Sequence, residues 1–139
     1  MESLKVCDYM NARPVTFTSN MPVAEAVERL LEAKQIGGPV VNTDNKVIGF
    51  LSEQDCLVQM IESSYYQEQV ALVNDIMRTG VLAIKPYLSI IELAQQMTLD
   101  KPKVYPVVDD DGYLLGTINR SALLHALDVQ LHDGYKSAS

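Results

Sequence analysis

The chain has 139 residues with 18 acidic against 11 basic side chains, a net charge of −7, and is 47% apolar and 21% charged; that is the size and mix of one compact domain. No run of eighteen apolar residues is present, so no membrane span is expected, and no basic stripe offers itself to a nucleic-acid backbone. The start, MESLKVCDYM, lacks the basic-then-apolar layout of a signal peptide, which makes a cytoplasmic location the expectation.

In chain order, residues 6–10 read as a short helical or turn segment. Val15-Thr16-Phe17-Thr18 reads as a short strand. Pro22 then opens a helix at or near its first position, with Val23, Ala26, Val27, Leu30 and Leu31 forming its apolar stripe. Gly37-Gly38 is read as its stop. Pro39-Val40-Val41 enters a strand, Thr43-Asp44-Asn45 turns, and Lys46 to Leu51 returns as a second strand. A helix begins near Ser52 and runs at least to Ile61, and residues 62–72 either extend it or form an exposed joining loop. The second half repeats the order: a short strand within Gly80 to Ile84, then a helix with a Ser89/Glu92 capping box and a stripe of Ile90, Leu93, Ala94 and Met97. A strand over Val104–Val108, a turn at Asp109-Asp110-Asp111-Gly112, a strand over Leu114–Ile118 and a helix over Ser121–Leu131 complete it. The last seven residues are expected to fray.

The letters themselves recur at a constant offset of 67 without a gap. Val6, Asp8 and Met10 return as Val73, Asp75 and Met77, and Glu25 returns as Glu92. Pro39-Val40-Val41 returns as Pro106-Val107-Val108, and Asp44, Gly49 and Leu57 return as Asp111, Gly116 and Leu124. A unit of about 60 residues is marginal alone, and repeats ordinarily stack to bury what one unit leaves open. The expected fold is therefore α/β (α+β): two tandem β-α-β-β-α units packed about a pseudo-twofold axis around a shared core. Residues 1–66 form the first unit with its N-terminal segment, 67–131 the second, and 132–139 a flexible tail. The cleft between the units is the expected ligand site.

The strongest local signal is Gly49-Phe50-Leu51-Ser52-Glu53-Gln54-Asp55, a strand that runs directly into a helix start. Ser52 sits where the first helical N–H groups point out, so a phosphate there meets donors, a hydroxyl and the helix dipole. Asp55, one turn on, carries two oxygens for the two hydroxyls of a ribose. The same two residues also make an S-x-x-D helix cap. Both roles stay open at the level of the letters, and the direction in which Asp55 points discriminates between them.

Other constellations carry less. His125 and His132 lie two turns apart on the closing helix with no third ligand, and Asp109-Asp110-Asp111 lacks the order of a calcium loop. No metal is expected. Cys7 and Cys56 have no metal-ligand spacing and are read as two free, buried thiols in a reducing compartment. No nucleophile or acid–base pair is marked by spacing, so no enzymatic role is expected.

The repeated unit resembles the CBS domain, named after cystathionine β-synthase, and the tandem resembles a CBS pair, or Bateman module, over about residues 4–128. The resemblance rests on Asp8-Tyr9-Met10 and Asp75-Ile76-Met77, on Gly37-Gly38-Pro39-Val40-Val41 and on Gly49 to Asp55, in that order and spacing. It implies a cleft for adenosine-containing ligands: AMP, ADP or ATP as a regulatory ligand, S-adenosylmethionine as a further candidate, and no obligatory cofactor. In the G-x-x-[ST]-x-x-D pattern Ser52 maps onto the hydroxyl near phosphate and Asp55 onto the ribose carboxylate. Val15, Thr16 and the backbone at Gly37, Gly38 and Pro39 map onto the base pocket, where close approach of the main chain gives glycine a reason.

The second unit departs from that pattern. Asn119 stands for the Ser or Thr, and Ala122, which offers no acceptor, stands for the Asp. The 52–55 half is therefore expected to hold the nucleotide. Tyr105 replaces the second glycine and is placed to fill the vacant base pocket or to stack there. Arg120 either reaches across to phosphate or is a solvated surface arginine. The implied function is a regulatory sensor that passes nucleotide occupancy to a protein partner. The alternative is a ligand-independent dimerisation or interaction scaffold, signalled by an exposed apolar helix face that includes Leu57 and Leu124. A disc-shaped homodimer is implied in either case, with no nucleic-acid or membrane partner.

Overall fold

A computed structural model describes residues 4–66, 71–97 and 103–138. Helix α1 (Val23–Ala33) forms as its stripe dictates, with Val23, Ala26 and Leu30 buried. Leu31, at the edge of that stripe, is exposed. Pro22 is the N-cap residue rather than the first helical one. The helix stops earlier than expected: Lys34 adopts φ 56° and turns its N–H onto the carbonyls of Leu30 and Leu31, a left-handed cap. Gly37-Gly38 is thus not the helix stop but the beginning of strand β1 (Gly37–Val41).

Strand β1 pairs antiparallel with β2 (Val47–Ser52), from Gly37 opposite Ser52 to Val40 opposite Gly49, with a bulge at Val40/Val41. The turn between them is built as its residue types suggest. Asn42 Oδ1 accepts the N–H groups of Asp44 and Lys46, and Asn45 takes φ 64°. Helix α2 (Glu53–Tyr66) follows β2 without a break. The strand expected at Val15–Thr18 is reduced to one parallel bridge, in which Phe17 N–H donates to Pro39 O and Val41 N–H to Phe17 O. A turn from Thr18 to Met21 ends it at once.

The second unit repeats this construction. It contains α3 (Val73–Ile76), a single parallel bridge of Ile84 to Val107, and α4 (Ile90–Met97), where Ser89 Oγ accepts the Ile91 N–H. Strands β3 (Val104–Val108) and β4 (Leu114–Asn119) pair with the same register and the same bulge as the first hairpin. In the turn, Asp109 Oδ1 accepts from Asp111 and Tyr113, and Gly112 takes φ 91°. Helix α5 (Arg120–Ala138) continues through the segment expected to fray. Of the expected joining segment, residues 67–70 lie outside the described residues, and α2 extends to Tyr66.

The two units are related by the 67-residue offset in space as well as in sequence, and they exchange their opening segments. Val6 N–H donates to Leu88 O, and Val73 N–H donates to Met21 O. Asn11 pairs with Thr117 in β4, and Arg78 pairs with Phe50 in β2. Lys46 bridges Tyr113, its own counterpart under the offset, and its ammonium lies 5.1 Å from the Tyr113 ring centroid. Around that point Val47 N–H reaches Gly112 O and Leu114 N–H reaches Asn45 O, so the pseudo-twofold axis passes there.

The expected shared core is replaced by two cores. One gathers Phe17, Ala26, Leu30, Val40 and Leu51 with Val73; the other gathers Ile84, Ile90, Leu93, Tyr105 and Ile118 with Val6. Each core is completed by a valine from the opposite opening segment, which is why neither half closes on its own residues. No helix among the described residues is long and apolar enough to cross a membrane.

Candidate functional site

The carboxylate of Asp55 points back at its own helix start and outward at one cation. Asp55 Oδ2 accepts the Ser52 hydroxyl at 2.7 Å and the Ser52 N–H at 3.3 Å. Ser52 Oγ in turn accepts the Asp55 N–H at 3.1 Å. This is a complete reciprocal cap, and it fixes both side chains at the junction of β2 and α2. The cation is Arg78: Nε donates to both Asp55 oxygens at 3.3 Å, and Nη2 donates to Oδ1 at 3.2 Å. The Asp55 side chain is 14% exposed and that of Arg78 66% exposed.

The remaining expected residues are placed as follows. Val15 and Thr16 are half-buried before the Phe17 bridge, and Thr16 O accepts from Arg29 Nη1. Gly37, Gly38 and Pro39 are buried in β1. A Cβ on Gly37 would lie 2.7 Å from the Phe50 ring, and one on Gly38 would lie 2.4 Å from Val15 O. Glycine is therefore required at these positions by the chain's own packing. Arg120 is exposed at the head of α5, and among the described residues no hydrogen bond or ion pair joins it to Ser52 or Asp55. In the second unit Asn119 Oδ1 accepts the Ala122 N–H at 2.8 Å, a one-way cap where the first unit has a reciprocal one.

Sequence reasoning missed Arg78. Its position was marked, since it directly follows the repeated Asp-x-Met opening. Its contact depends on the exchange of opening segments, which brings residues 71–78 onto the first unit. Arg78 also links the capped pair to the crevice between units. Its backbone pairs with Phe50 in both directions at 2.9 Å, and two residues on, Gly80 lines a cavity of about 300 Å³. Val47 and Ile48 form one wall, and Val81, Ala83 and Val108 form much of the rest. The lining side chains are apolar, and none of the expected site residues belongs to it.

Both cysteines are free as expected, but only one is buried. Cys7 is exposed. Cys56 is buried; burial, with the Asp55 and Glu53 carboxylates beside it, pushes its thiol up to about 11 and keeps it protonated and unreactive. His132 Nδ1 faces the Asp128 carbonyl and carboxylate. Among the described residues no group of three His, Cys, Asp or Glu is placed to hold a metal.

Comparison with known proteins adds the family context. The profile of the CBS domain matches residues 6–62 and again 73–129. An uncharacterised protein of Methanocaldococcus jannaschii is 27% identical, with 91% of this chain and 92% of the relative covered. The crystal structure of CBSX2 in complex with AMP superposes with a TM-score of 0.78 at 27% identity, covering 92% of this chain and 99% of the other. CBSX2 from Arabidopsis thaliana, described as a CBS-pair protein, gives 0.80 at 26% identity over 95% and 99% of the two chains. Other curated relatives are longer, and this chain spans 15 to 42% of their length.

Proposed function

The chain belongs to the CBS domain family as a tandem pair, a regulatory rather than catalytic module, and from that premise we propose that it senses an adenine nucleotide of the AMP type and passes its occupancy to a protein partner. In this proposal Asp55 takes the ribose hydroxyls and Ser52 lies beside the phosphate. Val15, Thr16 and the backbone of Gly37 to Pro39 wall the base. The observation that carries it is the state of the Asp55 carboxylate. Its Oδ2 is held by the cap and shares the Arg78 Nε, while among the described residues Oδ1 meets the exposed Arg78 guanidinium alone, so a diol can reach it by displacing one surface side chain. That CBSX2, similar over nearly the whole chain, has been crystallised with AMP supports the choice of ligand. S-adenosylmethionine ranks behind AMP, ADP and ATP.

Calorimetric titration with AMP, ADP, ATP and S-adenosylmethionine tests it. AMP is expected to bind, and Asp55→Ala is expected to weaken it at least tenfold through loss of charge-assisted hydrogen bonds. Loss of the reciprocal cap should cost about 1 kcal/mol of stability, which leaves the variant folded. No binding at millimolar ligand, or unchanged affinity in Asp55→Ala, overturns the proposal.

A second function, assembly without ligand, is favoured by one observation. Leu57, Val58, Met60 and Ile61 of α2 and Leu124 and Leu131 of α5 are all at least half exposed. Leu57 and Leu124 are counterparts under the offset, so the two helices present matched apolar faces, suited to a homodimer.

A further inference from the structure

Resting on the proposed nucleotide site, we propose that Arg78 makes it selective for phosphate-bearing nucleosides: the guanidinium covers Asp55 until a ribose takes the carboxylate, then turns onto the phosphate. The carboxylate is nearly saturated. Oδ2 accepts from Ser52 Oγ, Ser52 N and Arg78 Nε, and Oδ1 accepts from Arg78 Nε and Nη2. Two oxygens offer about four lone-pair sites, so a diol and Arg78 compete for the same atoms. Asp55 is largely covered and pinned by the cap, at 14% exposure; Arg78 is two-thirds exposed, so Arg78 is the group that moves. Its backbone pairing with Phe50 does not depend on where its side chain points.

The donors at the head of α2 decide where the guanidinium goes. Glu53 N–H donates to Ile36 O at 2.9 Å, Asp55 N–H to Ser52 Oγ, and both Ser52 donors to Asp55. A phosphate beside Ser52 therefore finds most of the expected first-turn donors committed. Arg78, joined to Ser52 through the shared carboxylate, carries a fork of donors suited to a phosphate. A nucleoside monophosphate returns a partner to the displaced cation. Neutral adenosine returns none, and the sulfonium of S-adenosylmethionine adds a like charge. The second unit lacks both members of the pair together, with Asn11 at the counterpart of Arg78 and Ala122 at that of Asp55.

The test is calorimetry of AMP, adenosine and S-adenosylmethionine on the full chain, for wild type, Arg78→Gln and Arg78→Lys, with thermal melts to confirm folding. Arg78→Gln is expected to lose about tenfold in AMP affinity while adenosine binds as well or better, so the AMP-to-adenosine preference collapses. Arg78→Lys should keep part of that preference, and the salt dependence of AMP binding should flatten in Arg78→Gln. If wild type binds AMP but Arg78→Gln shifts AMP and adenosine equally, the role of Arg78 is overturned and the nucleotide site stands. If wild type binds neither, both are overturned.

Discussion

A Cβ on Gly38 would lie 2.4 Å from Val15 O and 2.8 Å from Val15 Cγ1. At the counterpart position the chain places Tyr105 instead, fully buried among Ile84, Ile90 and Ile118. Leu82, the counterpart of Val15, is 53% exposed where Val15 is half-buried. The phenol hydroxyl comes at a cost: among the described residues it has no hydrogen-bond partner, and burial pushes its pKa upward. An orphaned buried hydroxyl destabilises by roughly 1–3 kcal/mol. Tyr105→Phe is therefore expected to raise stability by about 1 kcal/mol in urea unfolding. A loss of similar size would show that the hydroxyl is engaged. The letters marked Tyr105 as a departure from the first unit, and its size indicated that it fills space. The core that surrounds the phenol was not legible, since it comes from other segments.

The exchanged opening segments explain why Gly49 recurs as Gly116. A Cβ on Gly49 would meet Met77 Sδ at 2.7 Å, and one on Gly116 would meet Asn11 O at 2.4 Å, because each opening segment crosses the opposite hairpin there. Val6 and Val73 are the fully buried anchors of those segments. Each truncation should therefore injure the unit that is remote in sequence. Val6→Ala, costing roughly 2 kcal/mol, is expected to lower hydrogen-exchange protection in β3 and β4 before β1 and β2. Val73→Ala should do the reverse. Protection lost in the unit adjacent in sequence would show that the segments are not exchanged in solution.

Two cores closed by reciprocal valines leave the outer faces of α2 and α5 uncovered among the described residues. Leu57 is 60% exposed and Leu124 70%. Wild type is expected to be a dimer by sedimentation or light scattering. Leu57→Glu combined with Leu124→Glu is expected to make it monomeric with little change in unfolding midpoint, since neither side chain contributes to a core. A monomeric wild type would remove the homodimer from both functions. The pseudo-twofold axis at Lys46 and Tyr113 relates the two helices, so the faces are available as a matched pair.

The sequence by itself determined the repeat, the order of the elements, both hairpin turns and the Ser52–Asp55 pair. These rest on short-range physics: hydrophobic period, side-chain-to-backbone bonds two to four residues long, and one helical turn between cap partners. It also limited the second unit, since an alanine at 122 has no side-chain oxygen to offer. Only the tertiary structure decided that Arg78 reaches Asp55, and that Gly37 and Gly38 make room for Phe50 and Val15 rather than end a helix. It alone showed that Cys7 and Leu31 face out and that the units close two cores by exchange. Each of these outcomes depends on which distant segment arrives at a given surface, and such arrivals leave no periodicity among neighbouring residues.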